Sequence, residues 1–346
     1  MAKILLLSDL HAHNYKDFST IVDGQNSRLL DVGNACLQAF QIGNKLGCKH
    51  LIICGDIFQT RGNIKPSVLN YMIEVVKTAV DKFGFEVAII SGNHDLETYS
   101  FSKSSAIFAL GALDSVSVYT EPTIADFGGL KCGFIPYIHE IKEFKKVCNE
   151  IKKGADILAI HQGIDDLKFG GIPDTTIDIK FLTKDFNGWV FSGHYHNPMS
   201  KGKVVQVGAP IQHTFGDKGV DRGCWVVDIN NDLDGEAQFY KLDYPEFISV
   251  DVNGIKKTNV EGKIIELILS DKDIGKAEKL KKAILDGGAI GCRTKVVRMN
   301  TTVQNKGVEL DTIEEMIKAY IKTIPELHAN KEKIMKRFEE LKNANN

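Results

Sequence analysis

Val87-Ala88-Ile89-Ile90-Ser91-Gly92-Asn93-His94-Asp95 is the stretch on which the reading of this chain turns. Its four uninterrupted apolar residues read as a strand buried on both faces, and they stop on a glycine, an amide, an imidazole and a carboxylate. The pattern recurs four more times. Residues 3–7 run into Asp9 and His11, 51–54 into Gly55 and Asp56, 157–160 into His161, and 189–191 into Gly193, His194 and His196. Open α/β sheets gather ligands just beyond the carboxyl ends of their strands, so the ordered series predicts one cluster in space.

The spacings have stereochemical reasons. Asp9 and His11, like His194 and His196, stand two residues apart and leave the same face of an extended chain. Gly55, Gly92 and Gly193 stand where the backbone must turn sharply or approach a ligand closely. The donors are two carboxylates, an amide oxygen and four imidazoles, with no thiolate. That excludes a structural zinc ribbon and suits manganese, iron or zinc in a hydrolytic centre. Two divalent ions would keep net positive charge beside Asp9 and Asp56, leaving room for an anionic phosphodiester. Such a pair, roughly 3.5 to 4 Å apart, activates a water and holds both attacking and leaving oxygens.

Asp-x-His, Gly-Asp, Gly-Asn-His-Asp, a lone His and Gly-His-x-His, in that order, resemble the motif series of the calcineurin-like metallophosphoesterase superfamily. The resemblance implies an α/β fold: a two-sheet sandwich flanked by helices, with a small α+β cap and C-terminal helices. It also implies that Asp9, His11 and His196 hold one metal, Asn93, His161 and His194 the other, and that Asp56 bridges them. His94 would be the catalytic residue, bound to no metal, stabilising the scissile phosphate and protonating the leaving oxygen. The two ions would be Mn2+. His13, His50, His139 and His328 have no such support and read as surface or packing residues; His213, just after the strand-like 204–207 and Gly208, reads as a wall of the substrate groove.

Composition sets the outer bounds. The chain has 346 residues, 43% hydrophobic and 25% charged, enough for a core domain and an accessory one. Seven cysteines without a Cys-x-x-Cys pair read as reduced thiols. The apolar start before Ser8 is too short for a signal-peptide core and no run reaches membrane-spanning length, so no membrane association is expected. The expected place is the cytoplasm of a bacterium or a phage-infected host. Net charge is −2, but residues 1–250 carry 24 Lys+Arg against 30 Asp+Glu while 251–300 carry 11 against 7. That basic segment, with Lys282 and Arg293, either touches nucleic-acid phosphates or is a solvated helix face.

Three parts are expected: a nuclease core at 1–245, a DNA-contacting cap at 246–300, and helices at 301–346 that bind a partner. In the core, helices are predicted at 27–46 and at 66–82, the latter opening on Pro66 and burying Leu69, Met72, Ile73, Val76 and Val80. In the cap, strands are predicted at 248–252, 264–269 and 294–299 around a helix at 274–285. In the tail, apolar stripes at 313–324 and 334–341 flank Pro325 and read as two amphipathic helices.

The run from Gly208 to Gly216 and the segment from Arg222 to Asp228 resemble SbcD-type double-strand-break repair nucleases. The compact length and the stretch from Tyr320 to Pro325 look most like their phage recombination endonuclease branch. This likeness implies a DNA exonuclease or single-strand endonuclease subunit acting in recombination, replication and repair, a homodimer, and a coiled-coil ATPase partner of the SbcC type. One departure stands at Gln59, where cellular members of that group carry histidine. Glutamine can hydrogen-bond to His94 but cannot stabilise its cation as a carboxylate would, so Gln59→His is expected to shift the balance of exonuclease to endonuclease activity. Two other readings remain: a phosphomonoesterase or cyclic-nucleotide phosphodiesterase, and a non-catalytic DNA-end scaffold.

Overall fold

The computed structural model describes residues 2–98, 104–165, 176–297, 321 and 330–344. Two six-stranded sheets form the core. The first runs Gly235–Lys241, Gly223–Ile229, Ala2–Leu7, His50–Ile53, Glu86–Ile90, Val116–Tyr119, its last four strands parallel. The second runs Met199–Lys201, Val204–Gln206, Trp189–Gly193, Ile157–His161, Leu130–Ile135, Thr123–Phe127, with its inner four strands parallel. This is the expected mixed α/β arrangement, and all five of the singled-out runs end parallel strands, three side by side in the first sheet and two in the second.

Strand alternation explains why these runs are apolar throughout. Leu5, Leu7, Leu51, Ile53, Val87 and Ile89 point to one face, into a core shared with the helices Ser27–Lys45 and Pro66–Asp81. Ile4, Leu6, Ile52, Cys54, Ala88 and Ile90 point to the other, where they meet Phe134, Ile157, Ala159, Trp189 and Phe191 of the second sheet. Leu158, Ile160 and Val190 then face the outer helices of that sheet. A strand between two layers has no polar side, so its sequence loses the two-residue period.

Helix Ser27–Lys45 starts where Asn26 caps it, its side-chain oxygen accepting the Arg28 and Leu29 N–H groups at 3.1 and 3.3 Å. Helix Pro66–Asp81 buries Val68, Met72, Val75, Val76 and Ala79, while Leu69, Ile73 and Val80 pack half-buried at the margin. The stripe is therefore turned by about one position from the expected one. Close helix contact favours that turn: Tyr71 lies over Gly33, where an added methyl group would strike its hydroxyl.

Asp31, half-buried in the first of these helices, is pushed up to about 6 by burial, with Arg28 opposing. A carboxyl group whose folded value exceeds its unfolded one costs stability as it ionises. Stability is lost as pH rises from the unfolded value of 3.8 to about 6 and stays lower above that. Asp31→Asn is expected to raise the melting temperature at pH 7.5 and to leave it unchanged at pH 4, read by thermal scans at both pH values.

After the core comes a small three-stranded parallel sheet, Phe247–Asp251, Ile264–Leu269 and Gly291–Val296, backed by helix Ala277–Asp286. Its own core is Val250, Ile265, Leu267, Leu269, Ile284 and Cys292. The third strand starts three residues earlier than the apolar pair Val296 and Val297 suggests. Its register places Gly291 beside Ile264 and Cys292 beside Ile265, so burial at its beginning fixes it and residues 293–297 are exposed.

Residues 1–297 form one compact unit and 298–346 another. In the second, helix Lys331–Ala344 is described, with Ile334, Met335 and Phe338 half-buried along one side. The expected helix at 313–324, apart from Ile321, and Arg298 lie outside the described residues. All seven cysteines are free and buried. No described helix is long and apolar enough to cross a membrane.

Candidate metal centre

The strand ends deliver their side chains through strained turns. Asp9, His11, Asp56 and His194 all have positive φ, at 52°, 45°, 53° and 96°, a region that costs a residue with a β-carbon roughly 1–3 kcal/mol. Cross-links over-determine those turns: the Asp9 N–H donates to Gly55 O and the His11 N–H to Asp56 O, both at 3.0 Å. Two glycines allow the sheets to close. A β-carbon on Gly55 would lie 2.4 Å from His161 Nδ1, and one on Gly193 would lie 2.2 Å from both Cys54 O and Ser8 Oγ.

The side chains converge. Ligand atoms of Asp9, His11 and His196 lie within 4.8 Å of one another, as do those of Asp9, Asp56 and His161. Asp56 Oδ2 stands between the two groups, 3.7 Å from His11 Nε2 and 3.4 Å from His161 Nε2. Asn93 Oδ1 joins from the second side, 3.2 Å from His161 Nε2 and 2.9 Å from His194 Nδ1. All seven side chains expected to hold metal thus meet at one place.

The donor geometry fits a pair of cations. His161 Nδ1 donates to Cys54 O at 2.6 Å, and His196 Nδ1 donates to Asp217 Oδ1 at 2.9 Å. An imidazole held by its outer nitrogen turns the other nitrogen's lone pair inward, where a metal can take it. Inside, His196 Nε2 and His11 Nε2 face each other at 3.1 Å among carboxylate oxygens. With its Nδ1 proton given to Asp217, His196 aims the Nε2 lone pair into this gathering of donors, where positive charge is favoured.

Electrostatics point the same way. Burial works against a charged His161, yet Asp56 and then Asp9 push it up to about 9. Burial likewise opposes a charged Asp56, but His161 and His11 hold it well below the usual carboxylate range. These are two views of one interaction: a buried, anionic pocket that favours positive charge. His11, whose burial outweighs the pull of Asp56, is held well below its ordinary value and offers a neutral nitrogen.

His94 sits at the edge, half-buried, with its ring edge-on to His11 at 4.8 Å. Its backbone N–H donates to Asp56 Oδ1 at 2.8 Å, and its Nδ1 donates to the backbone carbonyl of Gln59 at 2.7 Å. Here the structure departs from the sequence expectation. Residue 59 orients His94 through its main chain, so the Gln59 side chain is not the orienting group, and Gln59→His is expected to leave the Nδ1 hydrogen bond in place.

The weaker expected contacts divide. His213 is buried behind His11 rather than lining a groove; its Nε2 donates to Asp9 O at 3.0 Å. Burial, and then His196, bring it down to about 3, which keeps it neutral. Arg293 is engaged with Glu266 through Nε at 3.1 Å and Nη2 at 2.6 Å, and lies over the Phe215 ring at 4.0 Å. Lys282 is exposed on helix Ala277–Asp286.

Sequence reasoning passed over three residues that hold the centre together. Asp95, fully buried, accepts the Phe58 N–H at 3.0 Å and the Gly92 N–H at 2.9 Å, clipping two ligand loops to each other. Asp217 and Arg222 brace His196. Asp95 could have been suspected from its place in the Gly92 motif; Asp217 has no signal but a carboxylate in a glycine-rich turn.

Residues 2–198 match the family described as calcineurin-like phosphoesterase, a span that contains all seven side chains expected to hold metal, and His94. The chain is 25% identical over 299 residues to exonuclease subunit 1 of Enterobacteria phage T4, covering 84% of this chain and 85% of that protein. Among solved structures it is similar to a dimetal phosphatase from Danio rerio, with 10% identity, TM-score 0.41, and coverage of 69% of this chain and 98% of that one. It is also similar to the nuclease MPE of Pseudomonas putida, with 16% identity, TM-score 0.30, and coverage of 65% and 83%. The order of motifs, the convergence of their side chains and a match over more than half the chain agree: this protein belongs to the calcineurin-like phosphoesterase family.

Proposed function

We infer that the chain is a metal-dependent DNA nuclease, the catalytic subunit of a machine that processes DNA ends in recombination and repair. One observation carries the reading: a half-buried imidazole, His94, with its Nδ1 engaged by the Gln59 carbonyl, lies at the rim of the converging donors, a ring nitrogen within 4.8 Å of ligand atoms of His11 and Asp56. A structural metal site has no use for such a group, and hydrolysis of a phosphodiester does. The similarity to exonuclease subunit 1 of phage T4 runs through the accessory sheet as well as the core, which supports DNA over a small ester as substrate.

Asp9, His11 and His196 would hold one Mn2+, Asn93, His161 and His194 the second, and Asp56 both. Bound there, the ions supply Lewis-acid charge and an activated water. The protein's own share is different. Paired sheets fix the donors, His94 presents Nε2 to the leaving oxygen, and Arg61, whose Nε donates to Asn93 O at 2.8 Å, holds the loop that carries both Asn93 and His94. Residues 246–300 would contact DNA, with Lys282 on the exposed helix face, and residues 301–346 would dock on a coiled-coil ATPase of the SbcC type. The working form would be a homodimer in a bacterial or phage-infected cytoplasm.

The deciding experiment assays the wild type and His94→Ser with Mn2+ on linear duplex, single-stranded DNA and p-nitrophenyl phosphate. Manganese-dependent cleavage of DNA, lost in a folded His94→Ser, is the expected result. Turnover of the monoester alone would replace the nuclease by a phosphomonoesterase, and no turnover at all would favour a scaffold.

A further inference from the structure

We propose that Asp217 is the positioning residue for His196, and that with Arg222 it sets the cation position shared by Asp9, His11 and His196. The proposal rests on the two-cation reading above and adds to it a residue outside the ligand set and beyond the matched family span.

Asp217 is almost fully buried and uses both carboxylate oxygens. Oδ1 takes the His196 Nδ1 proton at 2.9 Å and lies 3.3 Å from Arg222 Nη2. Oδ2 takes the His213 N–H at 3.0 Å, the Thr214 N–H at 2.9 Å and the Thr214 hydroxyl at 3.2 Å. Arg222 is completely buried; Nη2 also donates to the Asp217 carbonyl at 3.0 Å, and Nη1 donates to the carbonyl of His196 itself. Side chain and main chain of one ligand are thus gripped by one ion pair. His161, by contrast, is held at its outer nitrogen by a backbone carbonyl, that of Cys54.

The chemistry needs a carboxylate there. Accepting at Nδ1 fixes the tautomer with its lone pair on Nε2, and the negative charge makes that nitrogen a stronger donor to a cation. A neutral amide at 217 would have to turn its NH2 either to the His196 N–H or to the two backbone N–H groups, so one side loses its acceptor.

The turn that carries Asp217 is also the seat of the accessory sheet. Phe215 packs edge-on to Phe247 at 4.9 Å and to Phe18 at 5.9 Å, beneath Arg293. Lys218 Nζ donates to Ser249 Oγ at 2.6 Å, and the Phe247 N–H donates to Gln212 Oε1 at 2.7 Å. His196 is therefore braced from beyond the matched family span by a residue in the same turn that ties the core to its accessory sheet.

The test is Mn2+ titration of the metal-free full chain by calorimetry, comparing wild type, Asp217→Asn and Arg222→Lys, each checked for folding by circular dichroism. Expected are two bound ions in wild type, and in both variants one site weakened about tenfold to a hundredfold with the other unchanged. Selective 15N-histidine NMR of the diamagnetic Zn2+-loaded wild type is expected to show His196 protonated on Nδ1, and this readout stands even if a variant fails to fold. Two ions bound with wild-type affinity by Asp217→Asn, or His196 protonated on Nε2 in the loaded protein, would overturn the positioning role alone. A wild type that takes up no Mn2+ would sink the two-cation reading, and this proposal with it.

Discussion

Asp56→Asn is expected to lower manganese-dependent DNA cleavage by roughly three orders of magnitude, through loss of metal rather than loss of fold. Asp56 is 2% exposed and its carboxylate lies close to both His11 and His161, so two cations would share its negative charge. Asparagine matches its size and keeps an oxygen for the His94 N–H, now donated to Oδ1 at 2.8 Å. What disappears is the charge, and an amide NH2 directed at a cation position repels where an oxygen attracted. Several kcal/mol of lost electrostatic stabilisation corresponds to a factor of about a thousand, at about 1.4 kcal/mol per decade. Calorimetric titration should find fewer than two Mn2+ bound by a protein whose circular dichroism is unchanged. Two ions bound and activity within tenfold of wild type would mean that Asp56 does not bridge.

The same residues show why much of this centre is legible in the sequence. A strand between two packed layers must be apolar on both faces, and a metal ligand at its carboxyl end must be polar, so the boundary between the two is abrupt. His161 shows it best: Ile157, Leu158, Ala159 and Ile160 are each fully buried, and the next side chain is a donor. What the sequence hides is whatever depends on two chain segments meeting. Asp217 braces His196 across 21 residues, and Arg222 reaches the His196 carbonyl across 26, with no periodicity to announce either. Gln59 misled for a related reason: residue 59 does hold His94, but through an atom every amino acid possesses. His213 looked like a groove residue because it follows a strand, whereas the turn after it folds the ring inward against Asp9. Helix Pro66–Asp81 was readable as a helix, but the facing helix, through Gly33 and Tyr71, decided which side it buries.

His94→Gln provides the second large effect, and its value lies in leaving the metal site intact. The substitution preserves the backbone N–H that holds Asp56. Two Mn2+ should still bind. DNA cleavage should fall about a thousandfold, within the range of roughly 10²–10⁴ that a positioned acid or base contributes. The loss should also depend on the leaving group. Breaking a DNA phosphodiester expels an alkoxide, which leaves slowly unless it is protonated, and His94 Nε2 is the nitrogen available to do so, because Nδ1 is committed to Gln59 O at 2.7 Å. A nitrophenolate leaves without a proton. Cleavage of bis(p-nitrophenyl) phosphate should therefore drop far less than cleavage of DNA in the same preparation. An equal drop on both substrates would assign His94 to holding the phosphate instead of protonating the leaving oxygen, and an undiminished rate on DNA would remove it from the chemistry altogether.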